Sequence, residues 1–163
     1  MPRQSKYNKE EKDNVKSYQY KAAIYIRLSV EDGDKEESNS ITNQRMLLNQ
    51  FLKDNSDIEV YDYYTDDGFS GTTFNRPGFE KLLEDLYEKK FNTVIVKDLS
   101  RLGRNYIEVG NYIEKVFPLY NIRFIAVNDQ IDSIKNPESV NSIIVPFKNL
   151  INDEYCRDIS NKI

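Results

Sequence analysis

Short apolar runs alternate with longer stretches of helical apolar spacing along most of this chain. The apolar runs predict four strands, at residues 22–28, 58–65, 93–96 and 123–127. Apolar residues at helical intervals predict helices between these strands, at residues 41–53, 77–86 and 107–117. Strands that alternate with helices indicate an α/β fold, in which a mainly parallel sheet of four to five strands is flanked by helices.

The two ends of the chain differ from this middle part. Residues 1–20 are rich in Lys, Glu and Asn and poor in apolar residues, which predicts a flexible tail. From Ser139 onward apolar residues again recur at helical spacing, and Pro146 either starts or kinks that helix. We therefore expect a tail (1–20), a core (21–138) and a C-terminal helix (139–163), whose missing stop signal is typical of a chain cut from a longer protein.

Composition narrows the class of protein. The chain has 163 residues, of which 39% are apolar and 31% are charged, and this suits one domain with its own core. The single cysteine, Cys156, excludes a disulfide framework. No apolar run resembles a membrane span or a signal peptide. We therefore expect a cytoplasmic protein that has no membrane partner.

Missing residue types limit the chemistry. The chain contains no histidine, which excludes a histidine-based catalytic triad and the common zinc sites. Glycine-rich phosphate loops, dinucleotide fingerprints and paired-cysteine motifs are absent from the sequence, and we expect no metal and no cofactor. The net charge of −4 argues against a dedicated nucleic-acid-binding domain, unless the cationic side chains are concentrated in one place.

Candidate site residues follow the predicted strands. In parallel sheets a site gathers at the carboxyl ends of the strands. Arg27 and Ser29 close the first strand and point to the same side, because side chains alternate along a strand. Residues 66–76 follow the second strand, and Arg101 and Arg104 follow the third. Arginine guanidinium groups bind phosphate oxygens and can stabilise the charge that develops on phosphate during phosphoryl transfer. A serine can act as the nucleophile.

Each of these residues also has an ordinary alternative. The arginines could form surface ion pairs with the many acidic residues of the chain. Ser29 and Ser70 could be turn or cap residues. Asp66 and Asp98 could be loop acids, or they could orient an arginine or shuttle a proton. The residues by themselves leave both a phosphate site and a plain surface open.

Several blocks of sequence occur in an order that one protein family shares. They are Tyr25-Ile26-Arg27-Leu28-Ser29, then Ser40 and Gln44 at a helix start, then Asp66-x-x-x-Ser70-Gly71, Arg76-Pro77-Gly78-Phe79, and the strand and Asp98-Leu99-Ser100-Arg101-Leu102-Gly103-Arg104 of residues 94–105. Together they resemble the serine recombinases, the resolvase/invertase family, over residues 22–163. The acidic stretch 31–39 and residues 124–129 are most similar to the large serine recombinases of integrative transposons and phages.

The resemblance implies the catalytic domain of a site-specific DNA recombinase with a resolvase-like fold. Ser29 would attack a DNA phosphodiester, form a 5′-phosphoserine link and release a 3′-hydroxyl, without a metal or ATP. Arg27, Arg101 and Arg104 would bind the scissile phosphate. Supporting residues of the active site would be Tyr25, Gln44, Asp66, Ser70, Arg76, Asp98 and Glu154.

The resemblance also implies partners. These are double-stranded DNA attachment sites, further copies of the chain that form a dimer and then a synaptic tetramer, and a directionality factor as an additional candidate. The biological role implied is integration and excision of a mobile element such as a transposon. Large members of the family carry a recombinase domain and a zinc-ribbon domain after the catalytic domain, and most DNA affinity would reside there.

Two positions depart from the family pattern. Ser100 stands where small resolvases carry an aspartate, and therefore a proton donor at that position is not transferred to this chain. Glu154 matches the family, but Tyr155 replaces the arginine that often follows it, which leaves the role of Arg157 open.

Two other functions compete with recombination. One is a flavodoxin-like regulatory domain that binds a phosphate or nucleotide without chemistry, and the other is an oligomerising module built on the C-terminal helix. An arginine cluster close to Ser29 would favour the recombinase, and dispersed arginines would favour the alternatives.

Overall fold

The computed structural model describes residues 18–28, 41–67, 76–103 and 105–142. Its elements in chain order are β1 (Tyr20–Leu28), α1 (Ile41–Asp54), β2 (Ile58–Asp67), α2 (Pro77–Tyr87), β3 (Thr93–Val96), α3 (Leu99–Leu102), α4 (Tyr106–Asn111), a π-helical turn (Tyr112–Val116), α5 (Phe117–Leu119), β4 (Arg123–Ala126) and β5 (Ile131–Asp132). Residues 137–142 are helical. The predicted tail and the predicted C-terminal helix lie almost entirely outside the described residues.

The predicted fold class is confirmed. The five strands form one sheet in the order β2-β1-β3-β4-β5, in which the first four strands are parallel and β5 is antiparallel to β4. Strand β1 therefore lies between the second and third strands of the chain, as a central strand should. No helix within the described ranges is long and apolar enough to cross a bilayer.

Strand β1 is covered on both faces. Ala22, Ile24 and Ile26 belong to a fully buried cluster that includes Leu48 of α1. The alternate residues of the strand join a larger cluster on the opposite face, formed with α2, α4 and α5. Burial on both faces explains why β1 reads as a continuous apolar run rather than as an alternating one.

A bulge in β2 sets the register at the end of β1. Ala22 pairs with Val60, but Ala23 pairs with Asp62, so that β2 contains one extra residue at this point. From there the pairing runs regularly until Arg27 lies opposite Asp66. The bulge therefore sets which residue of β2 lies opposite Arg27 at the carboxyl edge of the sheet.

Three local predictions were wrong or incomplete. The polar segment 97–105 contains the one-turn helix α3, and the predicted loop 128–136 contains β5. Asp66 and Asp67 belong to β2 rather than to the loop after it. The helix predicted to stop near Pro118 does end there, at Leu119, but it contains a π-helical turn in which Phe117 N–H donates to Tyr112 O. This wider turn relieves the clash that a proline ring causes with the preceding turn of an α-helix.

An ion pair between Arg123 and Asp132 links β4 to β5, the strand at the edge of the sheet. The Arg123 side chain, 1% exposed, donates from Nε and Nη2 to the two carboxylate oxygens of Asp132, at 3.0 and 2.6 Å. The guanidinium carbon also lies 4.4 Å from the centre of the Tyr20 ring. Burial opposes ionisation of Asp132, but hydrogen bonds from Arg123 and from the backbone of Lys135 and Ile134 outweigh it and lower the pKa of this carboxyl.

We predict that Asp132→Asn lowers the free energy of unfolding by about 3 kcal/mol at pH 7, because the buried Arg123 guanidinium keeps only the Asp57 carboxylate, 4.0 Å away, as a counter-charge. A lowered pKa in the folded state makes this contribution complete above the unfolded pKa of about 4 and removes it as the pH falls through the folded value. Urea unfolding at pH 7, 5 and 3 should therefore show the gap between variant and wild type narrowing at pH 3.

The matched control is Asp54→Asn, which changes an exposed carboxylate at the end of α1. It should leave the unfolding free energy within about 0.5 kcal/mol of wild type at each pH. An equal loss in both variants would contradict a specific role of the Arg123–Asp132 pair.

Candidate active site

The structure describes part of the predicted site. Its described members, all at or near the carboxyl ends of β1, β2 and β3, are Tyr25, Arg27, Gln44, Asp66, Arg76, Asp98 and Arg101. The predicted nucleophile Ser29 lies outside the described residues, as do Ser70, Arg104 and Glu154. The described members form one connected network of hydrogen bonds, an ion pair and ring contacts.

Arg27 and Arg101 hold each other in place. Arg27 is completely buried, and its guanidinium donates to Ser100 O at 2.7 Å and to Arg101 O at 3.3 Å. In return, Arg101 Nη1 donates to Arg27 O at 3.1 Å, and Gln44 Nε2 donates to the same carbonyl at 3.1 Å. The end of β1 is thus fixed to α3 and to α1 through one backbone carbonyl.

Arg76 joins the same cluster from the start of α2. Its side chain is fully buried, and Nη2 donates to Leu102 O at 2.6 Å. The guanidinium carbon lies 5.4 Å from the Tyr25 ring centre and 5.2 Å from the Phe79 ring centre. Burial lowers the pKa of Arg76, while Tyr25 and Asp66 oppose this, and the guanidinium remains charged because arginine titrates far above neutral pH.

Asp66 anchors α2 rather than contacting an arginine head. Arg76, the residue before α2, makes no side-chain cap, and Asp66 supplies the missing acceptor from β2. Its carboxylate accepts from Gly78 N at 2.8 Å and from Phe79 N at 3.0 Å, which are among the free N–H groups of a helix start. The helix that carries Arg76 is therefore positioned by the strand beside β1.

Tyr25 completes this anchor. Its hydroxyl donates to Asp66 Oδ2 at 2.8 Å, and its ring packs edge-on against Phe79. Burial raises the pKa of the phenol well above its ordinary value, and the nearby Asp66 carboxylate acts in the same direction, although Arg76 and Arg27 partly oppose both. Tyr25 is therefore a neutral hydrogen-bond donor that orients Asp66.

Asp98 and Ser100 form a smaller pair at the start of α3. The Ser100 hydroxyl donates to Asp98 Oδ1. The other carboxylate oxygen of Asp98 lies 3.8 Å from Arg101 Nε. Asp98 thus forms an ion pair with Arg101, and its role in orienting an arginine stays a prediction.

Sequence reasoning missed two parts of this site. One is the set of α3 carbonyls, at Ser100, Arg101 and Leu102, which accept from the buried arginines. The other is Asp129, whose carboxylate accepts from Leu99 N at 2.6 Å. Asp129 follows β4 at the same edge of the sheet, so the rule that led to Arg27 and Arg101 could have led to it as well.

The arrangement suits an anion with several oxygens. Arg27 and Arg76 reach the short helix α3 from β1 and from the start of α2, and Arg101 of α3 reaches back to β1, with the carboxylates of Asp66 and Asp98 nearby. Asp129 adds a third carboxylate at this edge, where it is hydrogen-bonded to Leu99 N. Fixed guanidinium groups of this kind bind phosphate and stabilise charge that develops on it.

The fold and site define a parallel α/β domain with an arginine-rich site at the carboxyl edge of its sheet. The family model of the resolvase N-terminal domain matches residues 22–163. The chain belongs to this family, the serine recombinases.

Solved structures of recombinases are similar to this chain. The N-terminal catalytic domain of TP901-1 integrase is 30% identical, with 82% of this chain and 97% of that chain covered and a TM-score of 0.69. A serine recombinase from Sulfolobus solfataricus is 26% identical, with coverage of 82% and 86% and a TM-score of 0.52. A resolvase family site-specific recombinase from Streptococcus pneumoniae is 24% identical, with coverage of 87% and 97% and a TM-score of 0.61, a likeness of fold.

We predict that Gly78→Ala destabilises the domain by about 1–3 kcal/mol, because the added methyl group has no room. A Cβ at this position would lie 2.8 Å from Thr65 O and 2.9 Å from Asp66 Oδ2, so α2 would have to move away from β2. Thermal or urea unfolding measures the loss.

Gly110→Ala is the matched control, since a Cβ at this α4 position meets nothing within 4 Å. This change should stabilise the protein by up to about 1 kcal/mol, as expected for alanine over glycine within a helix. If both variants gained stability, close packing of α2 on Asp66 would be wrong.

Proposed function

We propose that this chain is the catalytic domain of a site-specific DNA recombinase, with Ser29 as nucleophile. The observation that carries the proposal is the convergence of Arg27, Arg76 and Arg101 at the carboxyl edge of the sheet, in a chain of the serine recombinase family. Ser29 comes two residues after Arg27 in the sequence and directly follows Leu28, the last residue of β1.

The proposed reaction is a transesterification. The Ser29 oxygen attacks a DNA phosphorus atom and forms a phosphoserine bond to the 5′ side, while the bond to the 3′ oxygen breaks. The proton that Ser29 loses is balanced by the proton that the departing 3′ oxygen takes up. The bond energy stays in the link, so religation needs no ATP, and the guanidinium groups supply the charge stabilisation that a metal would otherwise provide.

The residues divide into two proposed roles. Arg27, Arg101 and Arg104 bind the scissile phosphate. A second group supports them. In the described part of the chain it comprises Gln44 of α1, which donates to Arg27 O, Tyr25 and Asp66 beneath α2, Arg76 at the start of α2, and Asp98 beside Arg101. Ser70 and Glu154 join this group from the family pattern alone.

We extend the proposal to the biological role. Two of the similar structures are an integrase domain and an IS607-like serine recombinase, which favours integration or excision of a mobile element over other uses of the fold. The chain would then act on double-stranded DNA as a dimer that pairs into a tetramer, and a directionality factor would be a further partner.

The first test traps the covalent intermediate. Full-length protein is incubated with sheared genomic DNA from its own organism, in EDTA and without ATP, denatured in detergent and digested with nuclease and protease. Mass spectrometry should find a nucleotide joined through its 5′ phosphate to the Ser29 peptide. Ser29→Ala should abolish the adduct, whereas Ser56→Ala, an exposed turn residue between α1 and β2, should retain it.

The outcomes separate the competing functions. Reversible DNA or nucleotide binding without an adduct would favour the regulatory alternative, and an adduct on a different residue would reject Ser29. Sequencing the DNA recovered with the adduct identifies the attachment sites, and an unrelated set of sequences would contradict site-specific recombination.

The second prediction concerns the cluster. Arg27→Lys and Arg101→Lys should each slow adduct formation by roughly 10²–10³-fold, because lysine keeps the charge but loses the forked donors. Arg45→Lys, on the exposed face of α1 above the Tyr63 ring, should react at the wild-type rate. Thermal unfolding of all three variants separates a loss of chemistry from a loss of fold, and wild-type rates in both cluster variants would refute the proposed role of the arginines.

A further inference from the structure

The turn after β4 reaches across the carboxyl edge of the sheet to α3. Asp129 lies in this turn, 30 residues from Leu99, and its Oδ2 accepts from Leu99 N at 2.6 Å. The turn itself is tied to the extension of β3, since Val127 N donates to Val96 O and Asn128 N donates to Lys97 O. Gln130 takes a positive φ of 55°, which completes the turn immediately after the aspartate.

Helix α3 depends on this outside support. It has four residues, and a single helical turn is unfavourable by itself because its nucleation fixes several residues for one hydrogen bond. The residue before it, Asp98, makes no side-chain cap, and its carboxylate instead accepts from Ser100 and faces Arg101. Asp129 therefore supplies a cap that the helix does not provide for itself.

The carboxyl end of α3 contacts the guanidinium cluster, which consists of the side chains of Arg27, Arg76 and Arg101. Its carbonyls at Ser100 and Arg101 accept from Arg27, and Leu102 O accepts from Arg76. Arg101, a member of α3, donates back to Arg27 O. A small displacement of this helix would therefore move three guanidinium groups at once.

We propose that Asp129 is a positioning residue for the guanidinium cluster, and that it acts by fixing the start of α3. The expected effect of Asp129 on the reaction rate rests on the proposed function, whereas its expected effect on the positions of the arginines does not. A carboxylate that merely stabilised its own turn would affect the unfolding free energy and leave the arginines where they are.

The first measurement is the rate of Ser29 adduct formation with saturating full-length protein and sheared genomic DNA. Asp129→Ala should be roughly tenfold slower, since a displacement of less than about 1 Å is enough for such a loss. Asp129→Asn retains an acceptor oxygen and should come within about threefold of wild type. DNA affinity in a filter-binding assay should be unchanged in both variants.

The matched control is Asn92→Ala. Asn92 Oδ1 accepts from Lys21 N at 2.8 Å, a bond of the same kind as that of Asp129, but at the amino edge of the sheet, away from the cluster. This variant should react at the wild-type rate. An equal slowing of Asp129→Ala and Asn92→Ala would show a general loss of stability and would overturn the positioning role.

The second measurement needs no DNA reaction. In ¹⁵N-labelled protein, the Nε–H resonances of Arg27 and Arg101 should shift or broaden in Asp129→Ala, return in Asp129→Asn and stay unchanged in Asn92→Ala. Unmoved arginine resonances in Asp129→Ala overturn the proposal, even if wild-type protein forms the adduct. If the wild-type protein forms no adduct, the proposed function is wrong. The arginine resonances still test whether Asp129 positions the cluster.

Discussion

The rest of the structure depends on how buried guanidinium groups are satisfied. Arg27 and Arg76 are fully removed from water, and Arg101 is nearly so. Such cations are costly to bury unless acceptors surround them, because the charge loses its hydration. The acceptors of Arg27 and Arg76 are backbone carbonyls of α3, and the acceptor of Arg101 is the carbonyl of Arg27, which gives the one-turn helix after β3 a structural role.

This requirement extends into the neighbouring elements. Arg76 reaches α3 only because α2 starts at a fixed point, and that point is set by Asp66 of β2 with the help of Tyr25. Gly78 allows the close approach of α2 to β2. Rigid strands and a capped helix thus hold the arginines before any ligand arrives, which is the arrangement that favours charge stabilisation in a reaction.

Charge in this protein has to be considered locally. The chain as a whole carries a net charge of −4, yet Arg27, Arg76 and Arg101 lie close together at the carboxyl edge of the sheet, where Asp66, Asp98 and Asp129 are also found. Acidic groups elsewhere, such as Asp85 and Glu88, pair with lysines near the end of α2. An acidic total is therefore compatible with an arginine-rich site, and the overall pI says little about the anion that such a site binds.

The sequence by itself determined the fold class, the four parallel strands, helices α1 and α2, and the edge at which the arginines gather, because these follow from apolar periodicity and from the rule for parallel sheets. The family pattern also selected Tyr25, Asp66 and Arg76, but not what they contact. Only the tertiary structure decided that α3 forms, that β5 pairs with β4, and that Asp129 caps α3. One helical turn and a two-residue strand have too few positions for any periodicity, and both are stabilised by hydrogen bonds from residues distant in the sequence.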